Sequence, residues 1–169
     1  MHIEIRGRRD ADAPTLVFSS GLGGAAHFWM PQLDALTSDY RVVLYDQLGT
    51  GKSPAALPAD YSIDAMASEL RTLLASHGIG DYHLIGHALG GLVGLALAMQ
   101  QAPGLRSLTL MNAWSRVSPH TARCFSVRKQ LLAGSGPAAY VEAQALFLYP
   151  PDWIAANIAQ LEADDRKHV

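Results

Sequence analysis

The sequence predicts an α/β protein: a mostly parallel sheet with flanking helices, followed by an all-helical lid. Three observations carry this. Short apolar runs bounded by glycine or proline alternate with amphipathic stretches as far as Met111. One run, Tyr82-His83-Leu84-Ile85, passes through Gly86-His87-Ala88-Leu89-Gly90-Gly91 directly into an apolar helix over 92–100. Beyond Ala113 no strand-like run returns. The expected organisation is a core over 1–113 and a lid over 114–169.

Taken in order, Ile3 and Ile5 alternate with polar neighbours, which predicts a short half-buried strand. A second strand covers 15–20 and stops at Gly21-Leu22-Gly23-Gly24. A helix starts near His27 and carries Phe28, Trp29, Leu33 and Leu36 on one side. The strand over 41–45 runs into a glycine-rich loop from Asp46 to Ser53. Ser62 caps a helix whose apolar stripe is Met66, Leu70, Leu73 and Leu74, and Gly78 stops it. The elbow strand and its helix follow, Pro103-Gly104 breaks that helix, and a further strand covers 105–111. Ser118-Pro119 opens a helix ending at Gly134. Gly136-Pro137 opens a second and Pro150-Pro151-Asp152 a third, with Trp153, Ile154, Ile158 and Leu161 at helical spacing. This alternation predicts parallel strands joined by crossover helices, with the elbow strand between the strands over 15–20 and 105–111.

With 169 residues, 49% apolar and 17% charged, the chain is long enough for one domain with a real core. A net charge of -2 without a basic block argues against nucleic acid as a partner. The apolar run over 92–99 contains Gly94 and is too short to span a bilayer, so no membrane partner is expected. The polar, alternating N-terminus has no signal-like apolar core, and the single cysteine, Cys124, leaves no internal disulfide. A cytoplasmic protein acting on a small molecule is the expectation.

The chemistry converges on the carboxyl ends of the strands. Gly86 and Gly90 frame a strand–turn–helix elbow whose middle residue usually attacks a carbon. Here that residue is Ala88, which has no nucleophile, so the motif predicts the fold and argues against an ordinary serine esterase. Gly21, Leu22 and Gly23 offer free backbone N–H groups that, with that of Leu89, form a candidate oxyanion hole. His87 is the candidate acid or base, with a plain hydrogen-bonded residue beneath the turn as the alternative. His120 reads as solvated and Cys124 as packing. Trp29 reads as core; Trp114 and Trp153 either line a pocket or fill core and lid. Gly51-Lys52-Ser53 ends like a phosphate loop, but Asp46 stands where its first glycine belongs. Gly21-Leu22-Gly23 lacks the third glycine of a dinucleotide motif, which would fall at Ala26. No ligand spacing for a metal occurs, and neither metal nor cofactor is expected.

These residues give the chain its resemblance. Ser20-Gly21-Leu22-Gly23-Gly24, Trp29-Met30-Pro31-Gln32-Leu33, the segment from Tyr45 to Gly51, Gly86-His87-Ala88-Leu89-Gly90 and the segment from Phe147 to Trp153 span nearly the whole sequence. Together they resemble the α/β-hydrolase superfamily, and within it the D-protein group of the Rut pyrimidine-utilisation pathway. The resemblance implies hydrolysis of carbamate or 3-aminoacrylate in uracil breakdown, with alanine at the elbow as a feature of the group. Water adds directly to the imine tautomer of aminoacrylate, and carbamate falls apart once protonated. Positioning, proton transfer and an oxyanion hole then suffice without a covalent intermediate. A non-catalytic binding or scaffold protein that kept the fold is the alternative, motivated equally by Ala88.

Two departures from the family pattern stand out. Leu48 takes the place of an arginine that braces the loop in many relatives, which predicts a looser loop. The pattern continues beyond the lid with strands carrying a catalytic acid and then a histidine, whereas this chain ends at Val169 and has Asn112 after its last strand. The expectation is the N-terminal part of a longer protein, inactive alone. Its last strand would then be an exposed edge, which predicts aggregation or self-association.

Overall fold

Val17, Val42, Val43, Leu44 and Leu84 have no solvent exposure. Such continuous burial is what strands covered on both faces require. These residues lie in the centre of a five-stranded sheet in the computed structural model, which describes residues 1–165. The strands are β1 (Ile3–Gly7), β2 (Thr15–Ser19), β3 (Arg41–Tyr45), β4 (Tyr82–His87) and β5 (Leu105–Met111). Their order is β1-β3-β2-β4-β5, with β1 antiparallel to β3 and every other pair parallel. The elbow strand β4 therefore lies between β2 and β5, as expected.

Side-chain alternation divides the core between the two faces of the sheet. Val17, Val43, Tyr45 and Leu84 pack with α2 (Ile63–Ser76) and α3 (Leu89–Met99) through Leu70, Leu74, Val93 and Leu97. Leu16, Phe18, Val42 and Leu44 pack on the other face with Ala26, Trp29 and Leu33. Ser62 caps α2 by accepting a hydrogen bond from Ala65 N–H at 3.2 Å, and Gly78 follows it with φ 66°.

The helix expected from His27 is instead a 3₁₀ turn over Ala26–Trp29 followed by the short α1 (Met30–Leu33). Pro31 in the first turn of α1 has no N–H to continue the ladder of the turn before it. In this tighter winding Phe28 is 45% exposed while Trp29 is buried. The helix expected over 92–100 begins earlier, at Leu89, immediately after the elbow residue.

At the β1 edge Glu4 meets Arg6 at 2.7 Å, His2 at 3.1 Å and Lys52 at 3.3 Å. Their hydrogen bonds, led by that of Arg6, pull the Glu4 carboxyl down to about 2. A lowered folded-state value contributes stability above the ordinary carboxylate range and loses it as pH falls toward that lower value. The thermal unfolding temperature should thus fall as pH drops from about 4.5 to about 2, and Glu4→Gln should flatten that part of the profile.

The chain forms two compact units, Met1–Ser115 and a second beginning at Arg116. In the second unit Ser118 caps α4 (Pro119–Leu148) by accepting from Thr121 N–H at 3.1 Å. Gly136, with φ 84°, breaks α4 before Pro137. Tyr149 stacks on Trp153 of α5 (Pro151–Asp165) at 4.1 Å. Among the described residues, no helix is long and apolar enough to cross a membrane.

Candidate active site

β4 delivers the chain to Ala88, whose φ of 48° and ψ of -112° are strained for any residue with a Cβ. The backbone around it holds that conformation. Ala88 N–H donates to the Met111 carbonyl at 2.9 Å, and the Ala88 carbonyl accepts from Gly91 and Leu92 at 3.0 and 3.2 Å. The two framing glycines permit the close approach. A Cβ on Gly86 would lie 2.5 Å from the Gly90 carbonyl oxygen, and one on Gly90 would lie 2.1 Å from that of Ser19. The elbow is thus clamped between β2 and α3. Ala88→Gly should raise stability by about 1 kcal/mol, because relief of a strain of about 1–3 kcal/mol exceeds the added unfolded-state entropy of glycine. Urea denaturation checks this.

Gly21 faces the elbow directly. A Cβ placed on it would meet His87 Nδ1 at 3.0 Å and the Ala88 Cβ at 3.5 Å. The sequence-predicted residues Gly21, His87 and Ala88 therefore converge. Gly23, with φ 73°, turns the loop, and Gly24 N–H closes it on the Gly21 carbonyl at 3.0 Å. The N–H groups of Leu22 and Leu89 have no hydrogen-bond partner among the described residues. Leu89 opens α3, so its N–H also lies at the positive end of that helix.

His87 ends β4 and is not a helix-edge residue held beneath the turn. Its Nδ1 is buried without a hydrogen-bond partner, and its ring stacks on Phe28 at 5.0 Å. Burial lowers its pKa below the usual histidine range, which favours a neutral imidazole able to take a proton.

Sequence reasoning did not single out the support beneath the loop. Ser20 Oγ accepts from Trp29 Nε1 at 3.0 Å and donates to the Ala25 carbonyl at 3.1 Å. Gln47 Nε2 donates to the Ser20 carbonyl at 3.0 Å. All three side chains are buried. Asp46, also buried, accepts from Ala26 N–H and Lys52 N–H at 2.7 Å each. The loop that lacks an arginine at Leu48 is therefore held by Asp46 and Gln47. The same carboxylate occupies the Lys52 N–H that a phosphate loop would offer to its ligand. Asp46→Ala should destabilise the unit by about 1–3 kcal/mol, since it strands the buried Ala26 N–H and loses the bond to the partly buried Lys52 N–H, whereas Asp46→Asn should cost less. Thermal unfolding compares them.

Among the described residues, His120 and Cys124 have only each other as hydrogen-bond partners, at 3.7 Å on successive turns of α4. Among the described residues, no three His, Cys, Asp or Glu side chains gather as a metal site would need.

The strand order and the glycine-clamped elbow have counterparts in known proteins. The family model described as alpha/beta hydrolase fold matches residues 14–142. A protein of Stutzerimonas stutzeri (strain A1501) named "Putative carbamate hydrolase RutD" is 66% identical over 98% of this chain and 62% of its own length. One of the same name from Pseudomonas savastanoi pv. phaseolicola is 62% identical over 99% of this chain and 64% of its own length. The chain thus spans less than two thirds of the curated relatives it matches. Among solved structures, the enol-lactonase from Burkholderia xenovorans LB400 superposes with a TM-score of 0.84 at 28% identity, covering 99% of this chain and 63% of that one. With the glycine-clamped elbow and the mostly parallel sheet in place, the chain belongs to the α/β-hydrolase fold family.

Proposed function

We propose that this chain is part of a hydrolase of carbamate or 3-aminoacrylate, a C–N bond hydrolase of pyrimidine breakdown. It works by positioned water and oxyanion stabilisation without a serine nucleophile. The observation that carries the reading is Ala88 in the strained nucleophile position, beside His87 and the unpartnered N–H groups of Leu22 and Leu89. The names of relatives up to 66% identical support it.

In the proposed reaction, the water oxygen bonds to the carbon of the imine tautomer of aminoacrylate, and the C=N π electrons move to nitrogen. His87 takes the water proton and returns it to nitrogen, giving a neutral adduct with a hydroxyl and an amino group on one carbon. In the collapse His87 carries the hydroxyl proton to the amino nitrogen, and the Leu22 and Leu89 N–H groups hold the oxygen as it gains charge. The C=O bond forms as the C–N bond breaks, releasing ammonia and leaving an aldehyde. For carbamate, proton delivery to nitrogen breaks the C–N bond to give ammonia and carbon dioxide.

Ammonia release from 3-aminoacrylate by a full-length relative with this elbow should exceed the spontaneous rate and resist serine-directed phosphonates. A rate equal to the spontaneous one would favour the scaffold reading. Because burial lowers the His87 pKa, its base form persists to below the usual pH of about 6.5. The rate should hold from neutral pH to below that value and fall only under it; His87→Gln should remove the acid limb.

We also infer that the 169-residue chain self-associates along β5, the end strand of the sheet, where Leu110 and Met111 are each 44% exposed. Sedimentation should show an assembly or aggregate; a monomer would sink the idea.

A further inference from the structure

Arg128 of α4 is 8% exposed, and its surroundings are aromatic. Its guanidinium carbon lies 5.3 Å from the centre of the Phe125 ring, 5.0 Å from that of Tyr140 and 6.0 Å from that of Phe147. One Nη donates to the Tyr140 hydroxyl at 2.6 Å. The Nε–H is buried and has no hydrogen-bond partner. Among the described residues no carboxylate forms an ion pair with Arg128.

A buried cation without a counter-anion is a costly arrangement. Ring faces and the Tyr140 hydroxyl offset part of that cost but leave the Nε–H of the planar donor fork unused. That fork matches a carboxylate, which accepts two parallel N–H bonds from it. Phe125 also lines an open cleft of about 350 Å³ with Ala122, Ser126, Lys129, Gln130 and Ala133. Phe125 thus touches both the guanidinium and the cleft, and Lys129 sets a second cation on the cleft wall.

We propose that Arg128 anchors a small monocarboxylate, held by Nε–H and one Nη–H. The proposal concerns the second unit by itself. Carboxylate binding does not rest on the hydrolase reading.

The test is a titration of the whole chain, with ¹⁵N-labelled arginine, against acrylate and against the uncharged acrylamide. The Arg128 Nε–H signal should shift and saturate with acrylate and stay in place with acrylamide. Arg128→Lys keeps the charge but loses the fork, so acrylate affinity should fall about tenfold or more. An Nε signal that acrylate leaves unmoved, or equal acrylate affinity in Arg128→Lys, would overturn the proposal. The two readings fail separately. A shifted signal without ammonia release sinks the hydrolase and leaves the anchor; ammonia release with an unmoved signal does the reverse.

Discussion

Gly90→Ala should leave the sheet unit unfolded at ambient temperature. The new methyl carbon would lie 2.1 Å from the Ser19 carbonyl oxygen and 2.4 Å from its carbon. Neither is a flexible side-chain tip. Both belong to β2, which is held on either side by β3 and β4. Relief therefore requires α3 to lift from the sheet, taking Val93 and Leu97 out of the core. An overpacked backbone contact of this kind belongs to the exceptional class of substitutions, which cost about 4–5 kcal/mol or more. Loss of the near-UV circular dichroism signal is the expected readout. Gly134→Ala is the control, because an added Cβ there meets nothing within 4 Å. It lies in the last turn of α4 before the break at Gly136, where alanine should gain less over glycine than the about 1 kcal/mol of a helix interior.

Leu97→Ala should cost about 2–5 kcal/mol. Leu97 has no solvent exposure and sits where α3 meets α2 and the sheet. Truncation loses the transfer energy of the removed carbons and leaves a cavity that covered strands cannot close. Leu97→Met keeps the volume and should cost less than about 1.5 kcal/mol. A shift of the urea midpoint without a change in slope identifies the loss as stability alone.

The parts legible in the sequence are those governed by local chemistry. Gly86 and Gly90 announced a close helix–strand approach because no other residue fits there. Ser62 and Ser118 announced their helices because each has a side-chain oxygen placed to cap the first turn, and each does so. Gly136-Pro137 marked the break in α4, where the glycine takes a φ of 84°. The loop after β2 was legible as a glycine cluster, but its scaffold was not. Trp29, Asp46 and Gln47 reach Ser20 and Ala26 from other elements, and no periodicity announces a hydrogen bond across such distances in sequence. The 3₁₀ turn at Ala26–Trp29 was misread because the apolar spacing there fits an α-helix and Pro31 acts on the turn before it. The partnerless Nδ1 of His87 and the aromatic enclosure of Arg128 are products of tertiary packing alone.

The order of the strands also sets the order of events as the chain folds. β2 sits beside β4, with Leu16 next to His83, so the middle of the sheet is closed by segments far apart in the chain. No hairpin can nucleate that pair, and the entropy of closing the long intervening loop must be met before the contact stabilises anything. On a ribosome, β2 and β3 emerge and wait, with the face that packs on α2 and α3 uncovered, until β4 and α3 have been synthesised. The turn at Ala88 then forms in the same step that closes the sheet, because the Ser19 backbone is one jaw of its clamp. Refolding of this unit is therefore slow for its size, and a chaperone that shields β2 and β3 in the interval should raise its yield more than its rate.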